Sequence, residues 1–266
     1  MDRRQFTASA LALGAVPLLG ADPSPLLTHI VGGRQRTPAN VARDRFRHPA
    51  KSLAFWGLAP GMTVVEIEPS GGYWTEILAP YLKVTHGRYV AAVGEEGADA
   101  FKARFSDPAA WGHVEMVDFS GTSGPLVGNG AADLVLTARN FHNWMWEPGL
   151  TDKVLADFHA ALAPHQILAL EEHRADPRPM VPGAPDGYVS TAYLTNAVEA
   201  AGFTLEASSE INANWQDTKD YPFGVWTLPP TRRTHARGQA TPADFDPDKY
   251  EKIGESDRMT LRFRRA

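Results

Sequence analysis

The sequence predicts a doubly wound α/β domain. Two observations lead there. Short apolar runs rich in β-branched residues recur along the chain, and most are separated by segments with apolar residues at helical spacing. Strands alternating with helices of this length form a parallel sheet covered on both faces and wound by right-handed crossovers.

The elements follow in order. After a polar, loop-like stretch at 32–40, residues 41–57 have helical spacing, with Phe46, Ala50, Leu53 and Ala54 on one face and Arg43, Arg47 and Lys51 opposite. Leu58-Ala59-Pro60-Gly61 breaks that pattern, and 62–67 reads as a buried strand. Pro69-Ser70-Gly71-Gly72 turns the chain into a helical segment at 73–82, with Trp74, Ile77, Leu78 and Tyr81 on one side. The unit then repeats: strands at 88–93, 113–117, 132–137 and 166–170, helices at 98–105, 150–162 and 188–201, the last ended by Gly202. Two strands close the chain, at 203–211 and 258–264. The second alternates through Met259, Leu261 and Phe263, so it is expected at an antiparallel edge. Between them, 212–256 is too long for an ordinary connection and carries Trp215, Tyr221, Phe223 and Trp226, which mark an insertion that packs back over the domain.

Composition removes several function classes. The 266 residues are 43% apolar and sum to a net charge of −5, without the clustered basic face a nucleic-acid binder needs. No cysteine is present, which excludes a disulfide framework, a thiol nucleophile and a Cys-ligated metal. The first residues, Met1-Asp2-Arg3-Arg4-Gln5-Phe6-Thr7, precede a small apolar run from Ala8 to Gly20. A basic start with paired arginines, a short apolar stretch and the small exit at Ala21 read as a twin-arginine-type signal over 1–21, hence a periplasmic protein. Residues 22–60 then form an N-terminal arm and helix, and 61–266 the α/β domain. No membrane contact is expected after signal removal, and the oligomeric state is left open.

In a doubly wound sheet, ligands bind beyond the carboxyl ends of the strands. The first strand ends in Glu66-Ile67-Glu68-Pro69-Ser70-Gly71-Gly72, where small residues let the backbone approach a guest and the next helix offers free N–H groups. After the fourth strand, Arg139, Asn140, His142 and Asn143 bring a base with a reference pKa of about 6.5 and groups to orient it. Trp144 and Trp146 offer an apolar or cation-holding wall. Glu171-Glu172-His173-Arg174 ends the fifth strand, where its charges read equally as an ion pair on the rim. His142 and His173 on neighbouring loops are compatible with a carboxylate–histidine metal site, but no two ligands share an i, i+4 spacing, so no metal is expected. The loop at 175–187, stiffened by four prolines, is expected to cover the site with Tyr188 at its base.

These strings resemble the class I S-adenosylmethionine-dependent methyltransferases, and within them an exported bacterial group. The resemblance spans nearly the whole chain after the signal. It is carried by His48-Pro49, by the run from Val65 to Pro80, by Arg139-Asn140-Phe141-His142-Asn143-Trp144, and by the run from Gly254 to Leu261. It implies a Rossmann-like seven-stranded mixed sheet with the last strand antiparallel, and a donor, S-adenosylmethionine, across the ends of strands one to four. Glu66 then matches the acidic residue opening the donor motif, and Gly71 and Gly72 its close-approach region. Glu68 and Ser70 stand where the general pattern has glycine. Glu95 or Glu96 would serve the ribose, Asp118 and Phe119 the adenine, and Trp144, Trp146, His173 and Tyr188 a small-molecule acceptor.

The expected function is therefore methylation of a small molecule. A catalytically inactive periplasmic binding or sensing protein on the same fold is the alternative, favoured by Glu68 and Ser70. A nicotinamide dehydrogenase ranks last, because Gly-x-Gly-x-x-Gly is missing.

Overall fold

A computed structural model describes residues 22–266, so the expected signal at 1–21 lies outside the described residues. The arm begins with α1 (Pro25–Val31), whose first turn is capped by Ser24 Oγ accepting the Leu27 N–H at 3.1 Å. Two short helices follow, α2 (Pro38–Val41) and α3 (Asp44–Arg47), and then α4 (Pro49–Phe55). The single helix expected over 41–57 is thus broken at His48, which adopts φ 41°. Pro49 is the cause: it has no N–H to continue the ladder and excludes helical backbone from the residue before it. The break leaves the Phe46 carbonyl free to accept from Arg258 Nη2 at 2.5 Å.

From there the alternation runs as the pattern predicts. β1 (Thr63–Ile67) leads into α5 (Thr75–Val84), which keeps Pro80 inside it. Then come β2 (Arg88–Val93), α6 (Glu95–Phe105), the single-turn α7 (Pro108–Trp111), β3 (Val114–Asp118) and β4 (Ala132–Ala138). One turn, α8 (Phe141–Trp144), precedes α9 (Leu150–Ala161), β5 (Leu162–His173), α10 (Thr191–Ala200) and β6 (Phe203–Ser209). The insertion at 212–256 contributes a 3-10 turn at Gly224–Thr227 and α11 (Pro247–Ile253) before β7 (Arg258–Arg265). Insertion residues Asn212, Asp217, Tyr221 and Val225 are buried, so this segment does pack back on the domain.

The seven strands form one sheet in the order β3-β2-β1-β4-β5-β7-β6. β1 to β5 pair in parallel, and β7 runs antiparallel to both β5 and β6. The last strand is therefore antiparallel but not at the edge, which β6 occupies. Its alternation was misleading because Arg258 and Thr260, on the polar phase, are buried as fully as Met259 and Leu261. One face packs Val154, Phe158, Leu194 and Val198 against Val65, Ile67 and Leu168. The other packs Leu53, Phe55, Ile77, Leu78 and Phe105 against Val64, Ala91 and Leu134.

β5 is longer than the pattern predicts at both ends. Its C-terminal extension pairs Glu171 with Thr260, Glu172 with Met259 and His173 with Arg258. The charges expected on a solvent-facing rim are thereby drawn into the sheet: Glu171 is 1% and Glu172 0% exposed. Among the described residues, no helix is long and apolar enough to cross a membrane.

Candidate functional site

The turn after β1 is held in an unusual backbone. Glu68 (φ 47°), Ser70 (φ 49°) and Gly72 (φ 70°) all lie in the left-handed region, which non-glycine residues adopt at a cost. Glu68 N–H donates to the Ala92 carbonyl at 2.9 Å, and Gly72 N–H to that of Pro69 at 2.8 Å. Ser70 and Gly71 are exposed, and a Cβ on Gly71 would meet nothing within 4 Å. Gly72 is buried, and a Cβ there would strike the Phe105 ring, so this glycine is needed by a packing contact.

Glu66 sits under the turn. Tyr89 Oη donates to its carboxyl at 2.6 Å and Thr75 Oγ1 at 3.0 Å. Burial pushes its pKa up to about 7, against the pull of those two hydroxyls.

The end of β4 brings Arg139, Asn140, His142 and Asn143 to the cleft. Arg139 also adopts a left-handed backbone (φ 64°), fixed by its N–H donating to the Glu171 carbonyl at 2.7 Å. Asn140 Nδ2 donates to the Ile67 carbonyl at 2.9 Å, which ties the end of β4 to that of β1. His142 is buried, with Nδ1 3.0 Å from Glu172 Oε1, and its amide N–H donates to Glu172 Oε2 at 3.2 Å. An ionised carboxylate only accepts, so the proton belongs on Nδ1 and Nε2 is left for a guest. Asn143, half-buried, lines the same cleft.

Trp144 belongs to the core, with its ring 6.2 Å from Phe119 and 5.6 Å from Phe158. Its Nε1–H donates to Glu68 Oε2 at 3.1 Å. Burial raises the Glu68 pKa, while that hydrogen bond and nearby His142 oppose the rise.

His173 comes from the end of β5. Its ring centre is 5.3 Å from that of His142, and its Nδ1 is 2.5 Å from Ser256 Oγ. Burial, then His142 and three guanidiniums, hold its pKa well below the usual value, so the ring is neutral. His142, Glu172 and His173 offer ligand atoms within 4.8 Å of one another and could together hold a cation. The Glu172 carboxylate is already engaged by the two His142 contacts and by the His173 N–H at 2.7 Å.

One cleft at the ends of β1, β4 and β5 gathers Glu66, Glu68, Pro69, Ser70, Arg139, Asn140, His142, Asn143 and His173. Other residues singled out in the sequence lie outside it. Glu95 and Asp118 are exposed at the ends of β2 and β3, Phe119 is buried, and Gly71 and Gly72 belong to the adjoining turn. Trp146 is 57% exposed and stands 6.2 Å from the His142 ring and 6.1 Å from Trp226. Tyr188 is fully buried behind His173, donating its hydroxyl to Asp217 at 3.0 Å.

The cleft also uses Tyr73, Trp74, Trp226, Pro229 and Pro230 as walls, and Glu172 as the partner of His142. Beneath it, Glu255 accepts from Arg43 Nε at 2.7 Å, Arg47 Nε at 2.8 Å and Arg258 Nη1 at 2.9 Å. Burial opposes ionisation of Glu255, but these guanidiniums hold its pKa far below the ordinary carboxylate range. The only sequence signals for this network were the string from Gly254 to Leu261 and the arginines at 43 and 47.

No protein-family model matches the chain, and neither does any curated protein. Solved structures do. A SAM-dependent methyltransferase from Aquifex aeolicus is similar at a TM-score of 0.54 and 22% identity, over 64% of this chain and 87% of that one. The cyclase SpnF is similar at a TM-score of 0.60 and 15% identity, over 91% and 92% of the two chains. The carbon methyltransferase CurJ is similar at a TM-score of 0.51 and 16% identity, over 87% and 56%. The strand order with its antiparallel β7 and these likenesses together show that the chain has the Rossmann-like fold of the class I methyltransferases.

Proposed function

We propose that the chain is an S-adenosylmethionine-dependent methyltransferase acting on a small molecule in the cleft at the ends of β1, β4 and β5. The observation that carries this reading is the His142–Glu172 pair at the mouth of β4, beside the open turn at Ser70 and Gly71.

The residues present fit the donor. It offers an amine, a ribose diol and an exocyclic amine, all needing acceptors. Glu68 lines the cleft, and Glu95 and Asp118 present exposed carboxylates at the next two strand ends. Gly71, in open space, lets the donor lie close to the turn. Glu68 would face the amine or sulfonium, Glu95 the ribose, and Asp118 the adenine.

When bound, the donor supplies a methyl group already activated by its sulfonium. The chain's own task is approach geometry and proton removal. His142 takes the acceptor's proton on Nε2. Glu172, on Nδ1, fixes the ring and stabilises the imidazolium that forms. Trp74, Trp226 and the two prolines keep water from the transfer.

Glu68, bonded to Trp144 at the cleft, favours a second reading in which a ligand is bound without turnover. Mass spectrometry of gently purified protein separates the two: co-purified donor or its demethylated product supports the transferase, and neither supports the second reading. We further propose that the chain belongs to the exported bacterial group and reaches the periplasm through the twin-arginine route. Folding and donor loading before export would reconcile that with a donor made in the cytoplasm.

A further inference from the structure

We propose that the cleft recognises an oxyanion, a carboxylate or phosphate, on the guanidinium of Arg139. The proposal rests on the reading of this cleft as the ligand site and adds the chemical class of what it takes.

Arg139 lines the cleft but makes no side-chain hydrogen bond among the described residues; the nearest carboxylate oxygen, Glu171 Oε1, is 3.9 Å from its Nε. The neighbouring carboxylates are taken by other donors. Glu171 accepts from Arg258 Nη1 at 3.2 Å and Asn212 Nδ2 at 2.9 Å, and Glu255 from Arg43, Arg47 and Arg258. Four guanidiniums therefore share two carboxylates, and Arg139 is the one left over.

The unpaired buried atoms around it all have the same polarity. Among the described residues, Arg139 Nε and the Trp74 indole nitrogen, on two residues that line the cleft, and Arg47 Nη1 and Nη2 and Arg258 Nε, on residues outside its lining, are donors without acceptors. Burial of such groups is costly, and an oxyanion in the cleft is the guest that answers the donors of Arg139 and Trp74 together. Burial lowers the pKa of Arg139 against the pull of Glu255 and Glu171, with Arg43 and Arg258 adding to the fall, and burial followed by the Arg139 charge brings that of Arg47 down to about 9. The left-handed backbone of Arg139, pinned to the Glu171 carbonyl, is the kind of strained placement that a binding site retains. Trp226, Pro229 and Pro230 wall the cleft, so the oxyanion belongs to a molecule with an apolar body.

The oxyanion has two possible sources, the second substrate or the carboxylate of the donor itself, and titration calorimetry at fixed chloride concentration distinguishes them. The probes are benzoate, inorganic phosphate, S-adenosylmethionine and 5′-methylthioadenosine, which lacks the amino-acid end. Wild type is compared with Arg139→Gln, Arg139→Lys and the exposed control Arg178→Gln, each checked for an unchanged thermal transition. Loss of one charge-assisted fork should weaken the recognised probe about tenfold or more in Arg139→Gln, with partial recovery in Arg139→Lys and no change in the control. If benzoate or phosphate is the probe lost, the second substrate carries the oxyanion. If S-adenosylmethionine is lost while 5′-methylthioadenosine is not, the donor carries it. Equal affinities for every probe in wild type and Arg139→Gln overturn the proposal. Donor binding that survives this outcome leaves the methyltransferase reading standing, whereas benzoate binding through Arg139 without donor binding removes that reading and keeps the oxyanion site.

Discussion

Glu172 holds His142 at two points: Oε1 lies 3.0 Å from the ring Nδ1, and Oε2 accepts the residue's own amide N–H at 3.2 Å. Ring and backbone are thus fixed by one carboxylate that is itself fully buried. An imidazole held at both points has little freedom to reorient.

Replacing that carboxylate should leave the fold and remove the effect. In Glu172→Gln the isostere fills the same space, but no charge remains to stabilise the imidazolium. Turnover of a responsive acceptor should fall about 10- to 100-fold with little change in KM, as expected for loss of part of a general base. Steady-state kinetics check this, and a change in KM alone would place Glu172 in binding.

Glu68 tests the donor's orientation. If its carboxylate faces the amine or sulfonium, Glu68→Gln should weaken donor binding about tenfold, the cost of one charge-assisted contact. The amide oxygen can still accept from Trp144, so the thermal transition should hold. Tighter donor binding in the variant would mean that Glu68 instead repels the donor's carboxylate.

The buried Glu66 gives the protein a pH-dependent stability of known sign. Its carboxyl titrates near 4.5 when unfolded and at about 7 when folded. Between those values only the folded state keeps the proton, so stability is full below pH 4.5 and declines as pH rises through 7, by about 3 kcal/mol. Denaturant unfolding from pH 4.5 to 8 should show this decline in wild type and a flatter profile in Glu66→Gln. Identical profiles would mean that Tyr89 and Thr75 hold Glu66 ionised.

The two glycines of the first turn should behave oppositely. Gly72→Ala puts a Cβ into the Phe105 ring on a left-handed backbone and should cost about 1–3 kcal/mol. Gly71→Ala faces open space and should change stability by less than about 0.5 kcal/mol. Chemical denaturation of both variants measures the contrast.

The alternation of strands and helices was legible in the residues because the central strands are buried on both faces and read as continuous apolar runs, such as Val64-Val65 and Val90-Ala91-Ala92-Val93. Three features were not. The break at His48 follows from Pro49 yet is masked by good helical spacing on either side. The place of β7 between β5 and β6 depends on arginines and threonines buried by long-range pairing, which a local pattern cannot foresee. Glu172 was visible only as one charge among four, because its partner is thirty residues away in sequence. His142, Asn143, Arg139 and Glu68, singled out from their positions after strands, line one cleft, whereas Pro229 and Pro230 reach it only through the folded-back insertion. Trp144 and Tyr188 carried the composition of a binding wall and are packed inside, since an aromatic residue after a strand reads alike in either role.

Titration calorimetry of S-adenosylmethionine against the full chain is the most direct measurement of whether this cleft serves methyl transfer. Saturable binding in the micromolar range, competed by the demethylated product and weakened in Glu68→Gln, is the result expected. No heat at millimolar donor, with the protein folded, would contradict it.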